Sequence, residues 1–229
     1  MSVFQPSPVN IEHDMEGFNL SYERVLVMDN IYYSAIGLCA LIDSLAGRSI
    51  TLRVITLSAL KKKLSASIGK HERVLVITEL MSESETLSEG LAFLKFAKDE
   101  WPADQYSIIV FTRLLDPLLL AAAVNLQPMG VVHRTEALNA LSHLILFSGD
   151  PSPETLMSPL ITRKIGQMSG IRLSLRELQW FVLQTEKIGL NETARRMGIN
   201  YKTAATYRKR ISVRLQLSLR EINERVSRL

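Results

Sequence analysis

Between Tyr201 and Arg214 the chain carries five basic side chains, Lys202, Arg208, Lys209, Arg210 and Arg214, and no acidic one. Guanidinium and ammonium groups bind phosphate oxygens without choosing a sequence, and Arg or Lys can also reach the acceptors on a base edge in the DNA major groove. Thr203 and Thr206 stand among them, and a short Thr can touch a thymine methyl or a phosphate. A solvated helix face more often mixes charges of both signs, so a polyanion is the expected partner. Other chemistry is thin. His13, His71, His133 and His143 stand alone and Cys39 is the single cysteine, which leaves no metal-ligand spacing and no intrachain disulfide. There is no Gly-rich phosphate loop and no nucleophile motif. The expectation is a binding protein rather than an enzyme, with no metal and no cofactor.

The elements that must position those residues follow from periodicity. Ala204, Tyr207, Ile211 and Leu215 recur at helical spacing and should face a core, which turns Lys202, Thr203, Thr206, Arg208, Lys209, Arg210 and Arg214 outward. Upstream, Ser174 and Glu177 form a capping box that opens a helix over 175–187 with Leu178, Phe181 and Val182 on one side. A short helix over 192–197 follows Gly189, and Gly198, Ile199 and Asn200 make a tight turn before the basic helix of 201–215. Two helices, a turn and a basic second helix describe a helix-turn-helix.

The preceding chain has a different grammar. Residues 1–21 read as a polar arm. Short apolar runs at 24–28, 50–56, 73–77, 107–111 and 130–132 alternate with helical patterns at 36–45, 59–68, 87–96, 117–125 and 136–147. Five βα units with strands apolar on both faces predict an open parallel sheet. Residues 149–170, rich in Pro and Gly, read as a linker with room for a helical turn or two between Glu154 and Gln167. From Ile171 onward there are 13 Lys and Arg against 5 Asp and Glu, a net +8, while the rest of the chain sums to −4. Such asymmetry points the C-terminal part toward a polyanion. The longest apolar stretch, 114–132, is broken by Asp116, Pro117, Asn125 and Pro128, too often for a membrane span. With no secretory pattern at the N-terminus, the expectation is a soluble cytoplasmic protein, associated with the nucleoid when bound to DNA.

From Leu173 on, about a quarter of the chain, the sequence resembles the LuxR/FixJ/NarL-type DNA-binding domain, carried by Leu173, Ser174, Arg176, Glu177, Gly189, Glu192, Ala194, Thr203, Ile211 and Leu215. Tyr207 stands where that family has a His on its recognition helix, and Arg214 where it often has a Lys; neither change removes a donor. The resemblance implies a further helix, 218–228, that commonly dimerises, here with Leu219, Ile222 and Val226 as its apolar stripe; the same stripe could pack on its own domain.

The order of elements before it resembles a receiver domain, as in the RcsB, RcsA and BglJ group of two-domain regulators. A receiver holds Mg²⁺ with two acidic residues after its first strand, accepts phosphate on an Asp after its third, and places a Thr or Ser after the fourth and a Lys after the fifth. The matching positions here are Asp29 and Asn30, Glu79, Thr112 and Arg134. Asn30 weakens a magnesium site and Glu79 displaces the nucleophilic oxygen by a methylene. Glu79 could imitate a permanent negative charge facing Arg134, or be a solvated loop carboxylate.

The expected architecture is therefore an α/β receiver-like domain (22–148) with a flavodoxin-like five-stranded parallel sheet that does not cycle with phosphate, followed after the linker by an all-α helix-turn-helix domain (171–229). The expected function is sequence-specific transcription regulation on double-stranded DNA, as a homodimer or as a heterodimer with an RcsB-like regulator, with RNA polymerase as a further partner. A phosphorylation-driven regulator and a protein that sequesters a partner regulator are the alternatives.

Overall fold

Short apolar runs bounded by turn residues become strands, and the amphipathic runs between them become the helices that cover them. In the computed structural model, which describes residues 21–136, 138–146, 154–168 and 173–226, these are β1 (Arg24–Met28), α1 (Tyr32–Ala46), β2 (Thr51–Val54), α2 (Leu57–Ile68), β3 (Val74–Thr78), α3 (Leu87–Glu100), β4 (Tyr106–Thr112), α4 (Pro117–Val124), β5 (Gly130–His133), α5 (Leu138–Leu146), β6 (Leu156–Met157), α6 (Pro159–Gly166), α7 (Leu175–Gln184), α8 (Leu190–Met197), α9 (Tyr201–Leu215) and α10 (Leu219–Val226). The expected N-terminal arm lies outside the described residues except for Ser21. No helix among them is long and apolar enough to cross a membrane.

Contacts divide the chain into two units, Met1–Arg113 with Leu126–Thr162, and Leu114–Asn125 with Arg163–Leu229. The first unit is built on one parallel sheet in the order β2-β1-β3-β4-β5-β6. Val25 to Met28 and all of β3 are buried, as strands covered on both faces must be. On one face Val25, Val27, Leu75, Ile77, Ile109 and Phe111 meet Leu38 and Ile42 of α1 and Leu141 and Ile145 of α5. The register pairs Met28 with Thr78 and Thr112 with His133, so the carboxyl ends of β1, β3, β4 and β5 form one rim. Residues just past that rim share a site, the usual place for chemistry in an open α/β sheet.

Two expectations are corrected. The sheet has six strands rather than five, and the sixth lies in the segment read as linker. β6 is only two residues long, with Leu156 and Met157 paired to Gly130 and Val131, so it has no periodicity to detect. Pro159 reads as punctuation but opens α6, where its missing N–H costs nothing. Glu136 holds this segment in place, accepting from the Leu160 N–H at 2.8 Å and from the Ser158 hydroxyl.

The second correction concerns α4, expected within the first domain, which groups with the C-terminal helices. Leu118, Leu119, Leu120, Ala122 and Ala123 are all buried, and a helix apolar all round needs cover on more than one side. α4 packs against α7. Its N-cap, Asp116, accepts from the Leu118 N–H at 2.8 Å and forms an ion pair with Arg225 of α10. The core of this second unit is Trp180 and Phe181 of α7, Ala194 and Met197 of α8, Ala204, Ile211 and Leu215 of α9, and Ile222 of α10.

Candidate nucleic-acid interface and receiver-like site

The basic helix is fixed from both ends. Asn200 caps α9, accepting from the Thr203 N–H at 2.8 Å, and Gly198 turns the chain out of α8 in the left-handed region at φ 62°, where a side chain would be strained. Ala204, Ile211 and Leu215 lie in the core with Tyr207 half-buried, so the helix presents Lys202, Thr206, Lys209 and Arg210 outward, with Thr203 and Arg208 half-buried beside them. Among the described residues, Lys202, Arg208, Lys209 and Arg210 form no ion pair.

Arg214 is different. Its Nη1 donates at 2.7 Å to Glu177, a buried carboxylate that also accepts from the Ser174 N–H at 2.8 Å in the capping box of α7. Arg214 thus ties the end of α9 to the start of α7. The arginines of α8 are likewise paired: Arg195 and Arg196 hydrogen-bond the Glu192 carboxyl and hold its pKa down at about 2, and Arg196 also meets Glu186. α9 thus carries four cations without a carboxylate partner among the described residues, alongside exposed Arg176 and Lys187 elsewhere in the unit. Tyr201, absent from the expected contacts, is the first residue of this helix and is exposed; its position next to the capping Asn200 is the signal that could have found it. The apolar stripe expected on α10 is not a free surface at Ile222, which is fully buried in its own unit. The side chains of Leu219 and Val226 lie outside the described residues.

In the first unit, the rim of the sheet brings together Asp29, Glu79, Thr112 and Arg134. Glu79 is not a solvated loop carboxylate, because its side chain is fully buried. One of its oxygens accepts from the Thr112 hydroxyl and the Leu80 N–H, both at 2.8 Å. The other accepts from the Arg113 N–H at 3.1 Å and faces Arg134 Nε at 3.3 Å. Arg134 Nη1 lies 2.8 Å from Asp29 and 3.2 Å from the Ser34 hydroxyl, and the guanidinium stacks 5.3 Å from the Phe111 ring. One guanidinium therefore bridges two buried carboxylates. Asn30 takes no part in this network: its side-chain oxygen is buried without a hydrogen-bond partner among the described residues. Arg113 and Ser34, not foreseen, complete the site; Arg113 follows Thr112 directly, but Ser34 reaches Arg134 across 100 residues of chain.

No protein-family model matches the sequence, and no curated protein matches it. Among solved structures, RcsB from Salmonella enterica serovar Typhimurium bound to promoter P1flhDC in the presence of the phosphomimetic BeF3⁻ superposes with a TM-score of 0.62 at 22% identity, covering 91% of this chain and 100% of that one. The same protein bound to promoter rprA gives 0.61 at 20% identity, over 90% and 98%. A structure of two RcsB dimers bound to two parallel DNAs gives 0.57 at 20% identity, over 88% and 96%. The fold is that of RcsB. A receiver-like α/β part followed by a helical helix-turn-helix part is thus the architecture of this chain, with the sixth strand and the α4 grouping described above.

Proposed function

We propose that this chain is a sequence-specific DNA-binding transcription regulator that acts as a dimer and without phosphorylation. The observation that carries the proposal is the outer face of α9. It is a capped helix behind a tight turn, with four cations that lack carboxylate partners among the described residues. A helix of this size fits the major groove, where Arg and Lys read guanine and Thr can contact thymine. RcsB, whose fold the chain shares, is known bound to promoters, which supports the same use here.

The receiver-like site supports independence from phosphate. An acyl-phosphate needs a carboxylate oxygen free to attack and a cation site of several hard oxygens. Both Glu79 oxygens are already engaged, and the Arg134 guanidinium stands between Glu79 and Asp29. Its fixed charge makes permanent the pairing that a phosphorylated receiver would make transiently.

Purified protein incubated with sheared host DNA at physiological salt, followed by sequencing of the retained fragments, tests the DNA reading. A shared motif that disappears in the Lys202→Ala, Arg208→Ala double variant is expected. If wild type enriches nothing alone but gains a motif when an RcsB-like regulator is added, the active species is the heterodimer. If it enriches nothing in either case, the DNA-binding reading is wrong. Incubation with acetyl phosphate and Mg²⁺ followed by intact-mass measurement should leave the mass unchanged; an adduct of one phosphoryl group, lost in Glu79→Ala, overturns the phosphate-independent reading.

A further inference from the structure

The outermost ridge of α9 mixes cations with apolar groups. Ala204, Ile211 and Leu215 are buried. At about 100° per residue, the direction opposite them is held by Lys202, Thr206, Lys209 and Val213, and all four are exposed. Val213 is 68% exposed. A helix position facing water is usually filled by a polar residue of high helix propensity. Val has the lower propensity of a β-branched side chain, and at this exposure it recovers little of that by packing in its own unit.

Thr206 is the second apolar group on the ridge. Its hydroxyl donates to the Lys202 carbonyl oxygen at 2.9 Å, so its hydrogen is spent within the helix and the methyl is what the side chain offers outward. Thr203 differs: its hydroxyl donates to the capping Asn200 at 3.0 Å, and the residue is half-buried. With Ala205, Lys209, Arg210 and Arg214, Thr206 and Val213 line a groove of about 520 Å³ along the helix.

Every base edge in the DNA major groove presents hydrogen-bonding atoms, but the C5 methyl of thymine is the one apolar group among them. An apolar side chain on a helix in that groove therefore has one base to choose. Thr206 and Val213 stand seven residues apart, about 10.5 Å along the helix axis, and three base pairs rise about 10 Å. We infer that Thr206 and Val213 set the sequence preference of the chain by packing on the C5 methyls of two thymines about three base pairs apart. Lys202, Lys209 and Arg210 hold the phosphates on either side and add affinity without choice of base. This rests on the DNA-binding reading above and deepens it, since it says which groups choose the sequence and what they choose.

Replacing thymidine by deoxyuridine removes that methyl and leaves every hydrogen-bonding atom of the base pair in place. The fragments that the full chain retains from sheared host DNA are therefore resynthesised with uracil, and both forms are titrated by fluorescence anisotropy. Wild type should bind the uracil form about 15-fold more weakly for a site with one such pair of thymines, at about 0.8 kcal/mol per methyl and 1.4 kcal/mol per factor of ten. The Thr206→Ser, Val213→Ala double variant should bind both forms within about twofold of each other. Its melting temperature should match wild type, because both positions are exposed. Lys209→Ala should weaken both forms alike and keep the difference between them. Equal binding of the two forms by wild type overturns the inference and leaves the DNA-binding reading standing. A uracil penalty that persists undiminished in the double variant also overturns it, because the methyls would then act through the shape of the duplex. No retained fragment at all removes the DNA-binding reading itself, and the inference with it.

Discussion

At the scale of single residues, Arg134 is the group on which most depends. It is one-tenth exposed and sits between two carboxylates that are almost wholly buried. Breaking a buried pair from one side is costly because it strands the other charge, typically about 3–5 kcal/mol. Arg134→Ala strands two, although Glu79 keeps its hydrogen bonds from Thr112, Leu80 and Arg113. The expected loss is therefore about 3–5 kcal/mol, read as a lower urea midpoint for the first unit. Adding Glu79→Gln in the Arg134→Ala background should recover part of it, since a neutral amide needs no counter-ion. A loss under about 1 kcal/mol would mean that water already screens the pair. Asp29, Glu79, Thr112 and Arg134 were legible only through the resemblance to a receiver, which singles out the positions after its first, third, fourth and fifth strands; Asn30, marked by the same resemblance, stays outside the network. Arg214 was only half legible. Its basic character marks it for the outer surface, but its bond to Glu177, 37 residues away, appears only when α7 and α9 are packed.

At the scale of elements, strands and helices with a clear period were legible almost to the residue, as β1 and α9 show. What escaped were elements defined by contact rather than pattern. β6 has two residues and owes its existence to β5, and the grouping of α4 is settled by what covers an all-apolar helix. The seating of α3 is a third case. Gly90 looks like a weak point in a helix, because Ala is better there by about 1 kcal/mol on propensity alone. A Cβ at Gly90, however, would lie 2.0 Å from the Leu80 carbonyl oxygen, so α3 rides directly on the loop that carries Glu79. Backbone cannot yield as a flexible side chain can. Gly90→Ala should therefore destabilise by about 2–3 kcal/mol, the cost of overpacking, against the direction that propensity gives. Thermal unfolding followed by circular dichroism would decide the sign. Equal or raised stability would show that α3 shifts without penalty.

For the whole molecule, the separation of charge matters more than its total. Net charge is only +4, yet the chain from Ile171 onward holds +8 against −4 elsewhere. Of that basic part, Arg195, Arg196, Arg214 and Arg220 pair with its own Glu192, Glu186, Glu177 and Glu224, and Arg225 pairs with Asp116 before α4. Lys202, Arg208, Lys209 and Arg210 on α9 have no carboxylate partner among the described residues, and under the proposed function they meet phosphate. Each phosphate neutralised on duplex DNA contributes about −0.9 to the slope of log K against log salt concentration. Four contacts therefore predict a slope near −3.6 for one copy and about −7 for a pair bound through both recognition helices. Fluorescence anisotropy of a labelled operator fragment, titrated across a range of salt, would read that slope. In wild type it should lie near the two-copy value, and Lys209→Ala should reduce it by about two units, one per copy. A slope near zero would show that these cations do not face phosphate, whatever the oligomeric state. A slope near −3.6 in a protein that sediments as a dimer would show that only one α9 engages DNA, which would separate the dimer surface from the act of recognition.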